Sequence, residues 1–326
     1  MKRKIIAICL LLLLCGCAKT EEIPLVTAAP TAAPTEVMPT VPPAVESEAA
    51  ALEEAPPPAV GVVLEAFSSG EKEECCADAV IDYSHTEDGY IMARYTSQTD
   101  KRLKLRLIGP ATTYTYNLPV DQWTVFPLSD GSGGYQAALY INTHDSKYAL
   151  VMTAQFQVEL KDEFVPFLRP NQYVNYEHAE KTVEKGAQLC AGLTHPLEKV
   201  AAVYDFVVST LTYDEQRAAT VQSGYLPVLD DVLAEEKGIC FDYAALMTAM
   251  LRSQEVPCKL VVGYAGDIYH AWISVWTEEN GWVDGAIFFD GQTWKRMDPT
   301  FASSGQRSEQ IMAFIENGNY TVKYLY

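Results

Sequence analysis

Cys240, His270 and Asp298 stand in this order in the 326-residue chain, and their types fit nucleophilic acyl transfer. That chemistry needs a thiolate, an imidazole that takes and returns its proton, and a polar group that fixes the imidazole tautomer. Singly, each residue says little. Most free cysteines are buried and inert. A histidine two residues before Trp272 is most often a packing residue, and an aspartate before Pro299 is a common turn former.

The elements that must hold these residues give them weight. Gly238 to Arg252 reads GICFDYAALMTAMLR. From Cys240, Ala244, Met247 and Leu251 follow at helical spacing, and Tyr243, Leu246 and Met250 widen the apolar stripe. The spacing predicts an amphipathic helix that packs inward and fixes its first residue. A thiol at a helix start meets main-chain N–H groups without intrahelical partners and the positive end of the helix dipole, and both favour thiolate over thiol. The helix should stop before Val256-Pro257, because the residue before proline is driven out of helical conformation. Lys259 to Tyr264 and His270 to Trp276 read as strands, the second with His270, Trp272, Ser274 and Trp276 on one face. Trp282 and Gly285 to Gly291 suggest a hairpin region, and Trp294 to Asp298 a further strand closed by Pro299. Upstream, a helix is predicted from Pro196 to about Thr210. The long loop between Tyr213-Asp214 and the cysteine helix is a candidate cleft wall. Helices followed by antiparallel strands make an α+β domain.

Four blocks, GICFDYAALMTAMLR, VPCKLVVGY, YHAWISVW and WKRMDPTF, together resemble the transglutaminase-like family of papain-type cysteine enzymes. The resemblance covers about residues 195–301. It implies a papain-like transglutaminase core with Cys240 as nucleophile, His270 as general base and acid, and Asp298 as the orienting residue. Asp242, Tyr243 and Tyr264 also match the family pattern, with packing and hydrogen bonding in the site wall as their expected role. Two positions depart from it. Glu255 stands where the family usually has glycine, at a cost of about 1 kcal/mol if φ is positive there. Cys258 stands where a small residue is usual. The implied activity is transglutaminase or protease chemistry on amide bonds of proteins or peptides, cell-wall peptide included, through a thioester. The resemblance also implies that some members are non-catalytic, so a binding module on the same fold is the alternative.

Gly89 to Leu160 has a different texture. Leu103, Leu105 and Leu107 alternate with Lys104 and Arg106, and short period-two runs continue through Tyr114, Tyr116, Val125 to Leu128, Gln136 to Ile141, Tyr148 to Met152 and Phe156 to Leu160. About seven strands suggest an all-β immunoglobulin-like sandwich over residues 75–165, preceding the transglutaminase-like domain at 166–326. Asp130-Gly131-Ser132-Gly133-Gly134 reads as a turn, since no Lys-Ser/Thr and no helix pattern follow. His85 and His144 are expected as solvated loop residues.

Met1-Lys2-Arg3-Lys4 and the apolar run Ile5 to Leu14 form a signal-peptide pattern over residues 1–17, too short to span a bilayer. It ends in Leu14-Cys15-Gly16-Cys17, which resembles the lipobox of bacterial lipoproteins and makes Cys17 the expected lipidation site. The expected location is the extracytoplasmic face of the cell membrane, held by a lipid anchor. Residues 18–74 carry eleven Glu, no Asp, two Lys and nine of the eighteen prolines. That composition cannot bury a core and predicts a disordered spacer.

A net charge of −19 with no basic patch excludes nucleic acid as a partner. No cofactor motif, EF-hand spacing, CxxC or paired Cys/His spacing is present, so neither cofactor nor metal is expected. With Cys240 free, Cys75, Cys76, Cys190 and Cys258 leave three pairings open, the bridge between adjacent Cys75 and Cys76 being the strained one.

Overall fold

Alternation of apolar and polar residues sets the N-terminal half. Eight strands form, β1 Glu73–Cys75, β2 Ala79–Asp82, β3 Tyr90–Tyr95, β4 Leu103–Ile108, β5 Thr113–Leu118, β6 Thr124–Pro127, β7 Gly133–His144 and β8 Lys147–Val158. They make two antiparallel sheets of order β1-β2-β3-β6 and β5-β4-β7-β8. In β4, Leu103, Leu105 and Leu107 turn inward while Arg106 is exposed. Each inward leucine contributes about 2 kcal/mol of apolar burial. Tyr114, Tyr116 and Leu118 of β5 enter the same core, where Tyr116 meets Phe126 of the other sheet edge-on at 5.1 Å. The sandwich architecture is the expected one, with a strand order of its own. The two expected runs 148–152 and 156–160 are one strand, β8, bulged against β7. The glycine-rich turn is tied to the β4–β5 hairpin, because the Asp130 carboxylate accepts from the N–H of Ala111 and Thr112 and from the Tyr114 hydroxyl.

The computed structural model describes residues 60–266, 268–284, 287–289, 294–296 and 320–326. Cys17 and Asp298, and with them the expected anchor and third triad member, lie outside the described residues. The described residues belong to one compact unit, Ala55–Tyr326.

Residues 60–72, expected as spacer, are laid against the fold. The Val62 N–H donates to the Ser253 carbonyl, and Ser68 Oγ and the Gly70 N–H donate to the Asp82 carboxylate. The reason is compositional: the run of prolines ends at Pro58, N–H donors become available after it, and Val63 packs against the core. His85 also departs from expectation. It stacks on Tyr90, meets Phe67 edge-on and places Nδ1 3.1 Å from Asp88, whereas His144 is exposed beside Asp145.

The C-terminal half contains α1 Glu180–Cys190, α2 Pro196–Thr210, α3 Glu215–Thr220, α4 Leu229–Glu235 and α5 Cys240–Arg252. Its strands are β9 Thr212–Tyr213, β10 Lys237–Gly238, β11 Cys258–Ala265, β12 Ile268–Thr277, β13 Gly281–Asp284, β14 Ile287–Phe289, β15 Trp294–Arg296 and β16 Tyr320–Leu325. An antiparallel sheet of order β13-β12-β11-β16 receives α5 on one face, and β14 and β15 form a hairpin. The fold is α+β, as expected. Among the described residues no helix is long and apolar enough to cross a membrane.

The cysteine helix is less amphipathic than its stripe suggests, since Asp242 to Arg252 are all buried. Small residues on the remaining faces explain this. Ala245, Thr248 and Ala249 let neighbours close in, and a Cβ on Gly186 of α1 would come 3.1 Å from Met250 Cα. The far end is pinned by Arg252, whose Nε donates to the Cys258 carbonyl (2.8 Å), Nη1 to Arg169 O (2.7 Å) and Nη2 to Tyr326 O (2.6 Å). One buried cation thereby fixes α5 to the start of β11, to Arg169 between β8 and α1, and to Tyr326 just after β16. Glu255, just beyond, has φ +60°, so the strain expected of a non-glycine residue there is present.

Candidate active site

Cys240 opens α5 and is partly exposed, as is Phe241 after it, while Asp242 to Arg252 are sealed. The turn that delivers it depends on Gly238, where a Cβ would lie 2.5 Å from Asp242 Cβ. Asp242 turns its carboxylate back to the helix start, and its Oδ2 accepts from the Ile239 N–H at 2.7 Å. This satisfies one of the orphan donors of the first turn, and the N–H of Cys240 also lies where the helix supplies no acceptor.

Behind that turn sits a charged network. Asp242 is buried, and desolvation pushes its carboxyl above the usual range, against the opposing pull of Tyr225, the Ile239 N–H and Arg217. The Tyr225 hydroxyl donates to Asp242 Oδ1 at 2.6 Å, and burial together with this carboxylate holds the phenol far above its ordinary pKa, so it remains a donor. Arg217 Nη1 lies 3.6 Å from Asp242 Oδ2 and 3.3 Å from Tyr225 Oη, and Nη2 reaches Glu235 at 3.2 Å. Asp214 caps α3 through the Arg217 N–H at 2.9 Å. These contacts lock the expected long loop, which is two short helices, α3 and α4, around a segment at 221–228.

His270 lies on β12, buried at 4% exposure and stacked with Trp272 at 6.2 Å. Its cross-strand partner is Gly263. A Cβ there would meet Thr321 O at 2.0 Å and the Trp272 ring at 2.9 Å, so glycine lets β16 close on β11 and the indole lie flat beside the histidine.

Cys240 and His270 line one cavity of about 730 Å³. Its walls come from Val221 to Leu226, from Tyr173, Tyr324 and Tyr326, and from Thr115 and Asn117 of the sandwich. The long loop is therefore a cleft wall, as expected. Tyr173 stacks on Tyr326 at 3.8 Å and tilts toward Phe241 at 6.0 Å. No charged side chain lines the cavity among the described residues. Asp242 and Tyr243 serve in packing and capping, not in the opening itself. Cys258 is fully buried beside Thr248 with its thiol pushed up to about 11 by burial. Among the described residues the five cysteines at 75, 76, 190, 240 and 258 are unpaired, and no group of three or more His, Cys, Asp or Glu is placed to hold a metal.

Sequence reasoning missed the contributions of the sandwich and of β16 to this cavity. The period-two tyrosines at 320, 324 and 326 were the available signal for the second. Nothing in β5 marks it as a cleft wall.

Residues 184–285 match the family model of the transglutaminase-like superfamily core. The uncharacterized protein YebA of Bacillus subtilis is 30% identical over 105 residues, covering 26% of this chain and 14% of its own length. Protein-glutamine gamma-glutamyltransferase of Pseudomonas aeruginosa is 29% identical over 97 residues, covering 25% of this chain and 13% of its own. The chain thus spans about one seventh of these curated relatives. The crystal structure of the periplasmic domain of TgpA from P. aeruginosa bound to ethylmercury is similar at 15% identity and TM-score 0.34, over 78% of this chain and 89% of that one. A candidate cysteine protease from Cytophaga hutchinsonii is similar at 14% identity and TM-score 0.33, over 71% and 81%. Cys240 and His270 fall within the matched family segment; Asp298 lies beyond it.

Proposed function

We propose that the transglutaminase-like domain at residues 184–285 acts as a cysteine enzyme on amide bonds of proteins or peptides, and that Cys17 tethers it to the extracytoplasmic face of the membrane. The observation that carries the catalytic reading is the opening of Cys240 and His270 into one cavity. The Cys240 thiolate attacks the amide carbonyl, forming a carbon–sulfur bond while its charge passes to the carbonyl oxygen. The N–H of Cys240 at the helix start is a donor for that oxyanion. Collapse breaks the carbon–nitrogen bond, His270 protonates the departing ammonia or amine, and a thioester remains. An amine or water then attacks, giving its proton to His270, and the carbon–sulfur bond breaks to restore the thiolate. Asp298 is assigned the orienting role on family resemblance. The anchor is supported by the basic start, the short apolar run and Leu14-Cys15-Gly16-Cys17.

The test is ammonia release and peptide cleavage by the full chain on an unfolded protein, beside Cys240→Ala. Loss of at least about a thousandfold in rate is expected, in line with removal of a nucleophile. Activity surviving in Cys240→Ala would contradict the reading and favour a binding module on the same fold.

A further inference from the structure

β5 is an edge strand of the sandwich, and its edge faces the cavity of Cys240. The hairpin register fixes which main-chain groups point outward. The Gly109 N–H donates to Thr112 O, so pairing alternates and Thr113, Thr115 and Asn117 turn their N–H and C=O away from β4. The Asn117 rung is taken by a side chain that imitates a strand. The Asn117 N–H donates to Gln172 Oε1 at 3.1 Å, and Gln172 Nε2 donates to Asn117 O at 2.8 Å. Gln172 is held for this by a tight turn in which Asn171 and Val174 exchange main-chain bonds and Asn171 Oδ1 accepts from the Tyr173 N–H. The next rung, Thr115, is exposed, lines the cavity and has no such partner among the described residues. A carboxamide thus already occupies one rung in the geometry a peptide bond would adopt, and the adjoining residue, Thr115, lines the cavity that Cys240 also lines.

We propose that an extended, unfolded polypeptide docks on β5 by strand addition, pairing its main chain with Thr115 and ending against Gln172. Its alternate side chains would enter the uncharged, tyrosine-walled cavity beside Cys240. This rests on the catalytic reading above and names its substrate class, a locally unfolded chain with neutral side chains near the reacting amide. Recognition through the main chain is tolerant of sequence, so any unfolded protein is a fair probe.

The test uses the full chain carrying Cys240→Ala, with reduced, carboxamidomethylated lysozyme as the unfolded probe and native lysozyme as the folded control. Amide hydrogen exchange at Thr115 should slow about tenfold or more with the unfolded probe and stay unchanged with the folded one. Thr115→Pro removes the outward N–H from an edge position that leaves the β4 ladder intact, and should abolish binding, while Thr115→Val keeps the N–H and should retain it. Unchanged exchange at Thr115 under saturating unfolded probe, or undiminished binding by folded Thr115→Pro, would overturn the proposal. Should Thr115→Pro not fold, the exchange measurement decides alone. Protection at Thr115 without amide turnover by the parent chain upholds docking and overturns the catalytic reading; turnover without protection overturns docking alone.

Discussion

Between residues 73 and 158 the buried polar side chains are Asp82, Thr86 and Ser129, whereas between 180 and 277 they include Arg252, Asp242, His270, Thr248, Ser253 and Thr277. The sandwich fills its centre with leucine, tyrosine and phenylalanine and leaves hydrogen bonding to its ladders. The α+β half buries charges and hydroxyls along the helix that carries Cys240. A buried polar group stabilises little on net but is costly to leave unpartnered, so each one fixes the position of its neighbours. The contrast teaches that one half is built for strength of packing and the other for placement.

The hardest test of that contrast is Arg252→Met. It leaves the carbonyls of Cys258 and Arg169 without their donor and takes from Tyr326 O one of its two donors, the other being the Leu260 N–H, and should cost about 3–5 kcal/mol in urea unfolding followed by tryptophan fluorescence. A loss below about 1 kcal/mol would mean that buried polarity in this half is incidental.

A sharper form sets the same chemical change in both halves. Tyr225→Phe removes the donor to buried Asp242 and should cost about 1–3 kcal/mol. Tyr116→Phe removes a buried hydroxyl with no hydrogen-bond partner among the described residues, and should be neutral or stabilising by about 1 kcal/mol. Equal losses from the two would break the comparison. Smallest in effect is Glu255→Gly, which relieves a left-handed backbone at the end of the placement helix and should raise stability by about 1 kcal/mol, read as a shift in the urea midpoint.

Much of this division was legible in the chain. Period-two leucines and tyrosines gave the sandwich its strands, Pro196 opened α2 where expected, and Val256-Pro257 ended α5. The helix start at Cys240 and the strand carrying His270 were legible because both elements are local patterns. What escaped depended on distant pairings: Gln172 against Asn117, Arg217 against Asp242, and β16 against β11 join residues far apart in sequence, and no single segment encodes them. The all-round burial of α5 escaped for the same reason, since its small-residue faces acquire meaning only once α1 supplies Gly186. Acidic composition continues past Pro58 and so hides the ties of residues 60–72, which are main-chain and hydroxyl donors and the one packed side chain of Val63.

The most direct test of the central claim is the alkylation rate of Cys240 at pH 7 in the full chain, resolved by peptide mass spectrometry beside His270→Ala. Exposed Cys76 serves as the internal reference, and Cys258, buried with its thiol near 11, should stay unmodified. An activated nucleophile should react about tenfold or more faster than Cys76 and lose that advantage without His270. A Cys240 that reacts no faster than Cys76 in both proteins would contradict the account.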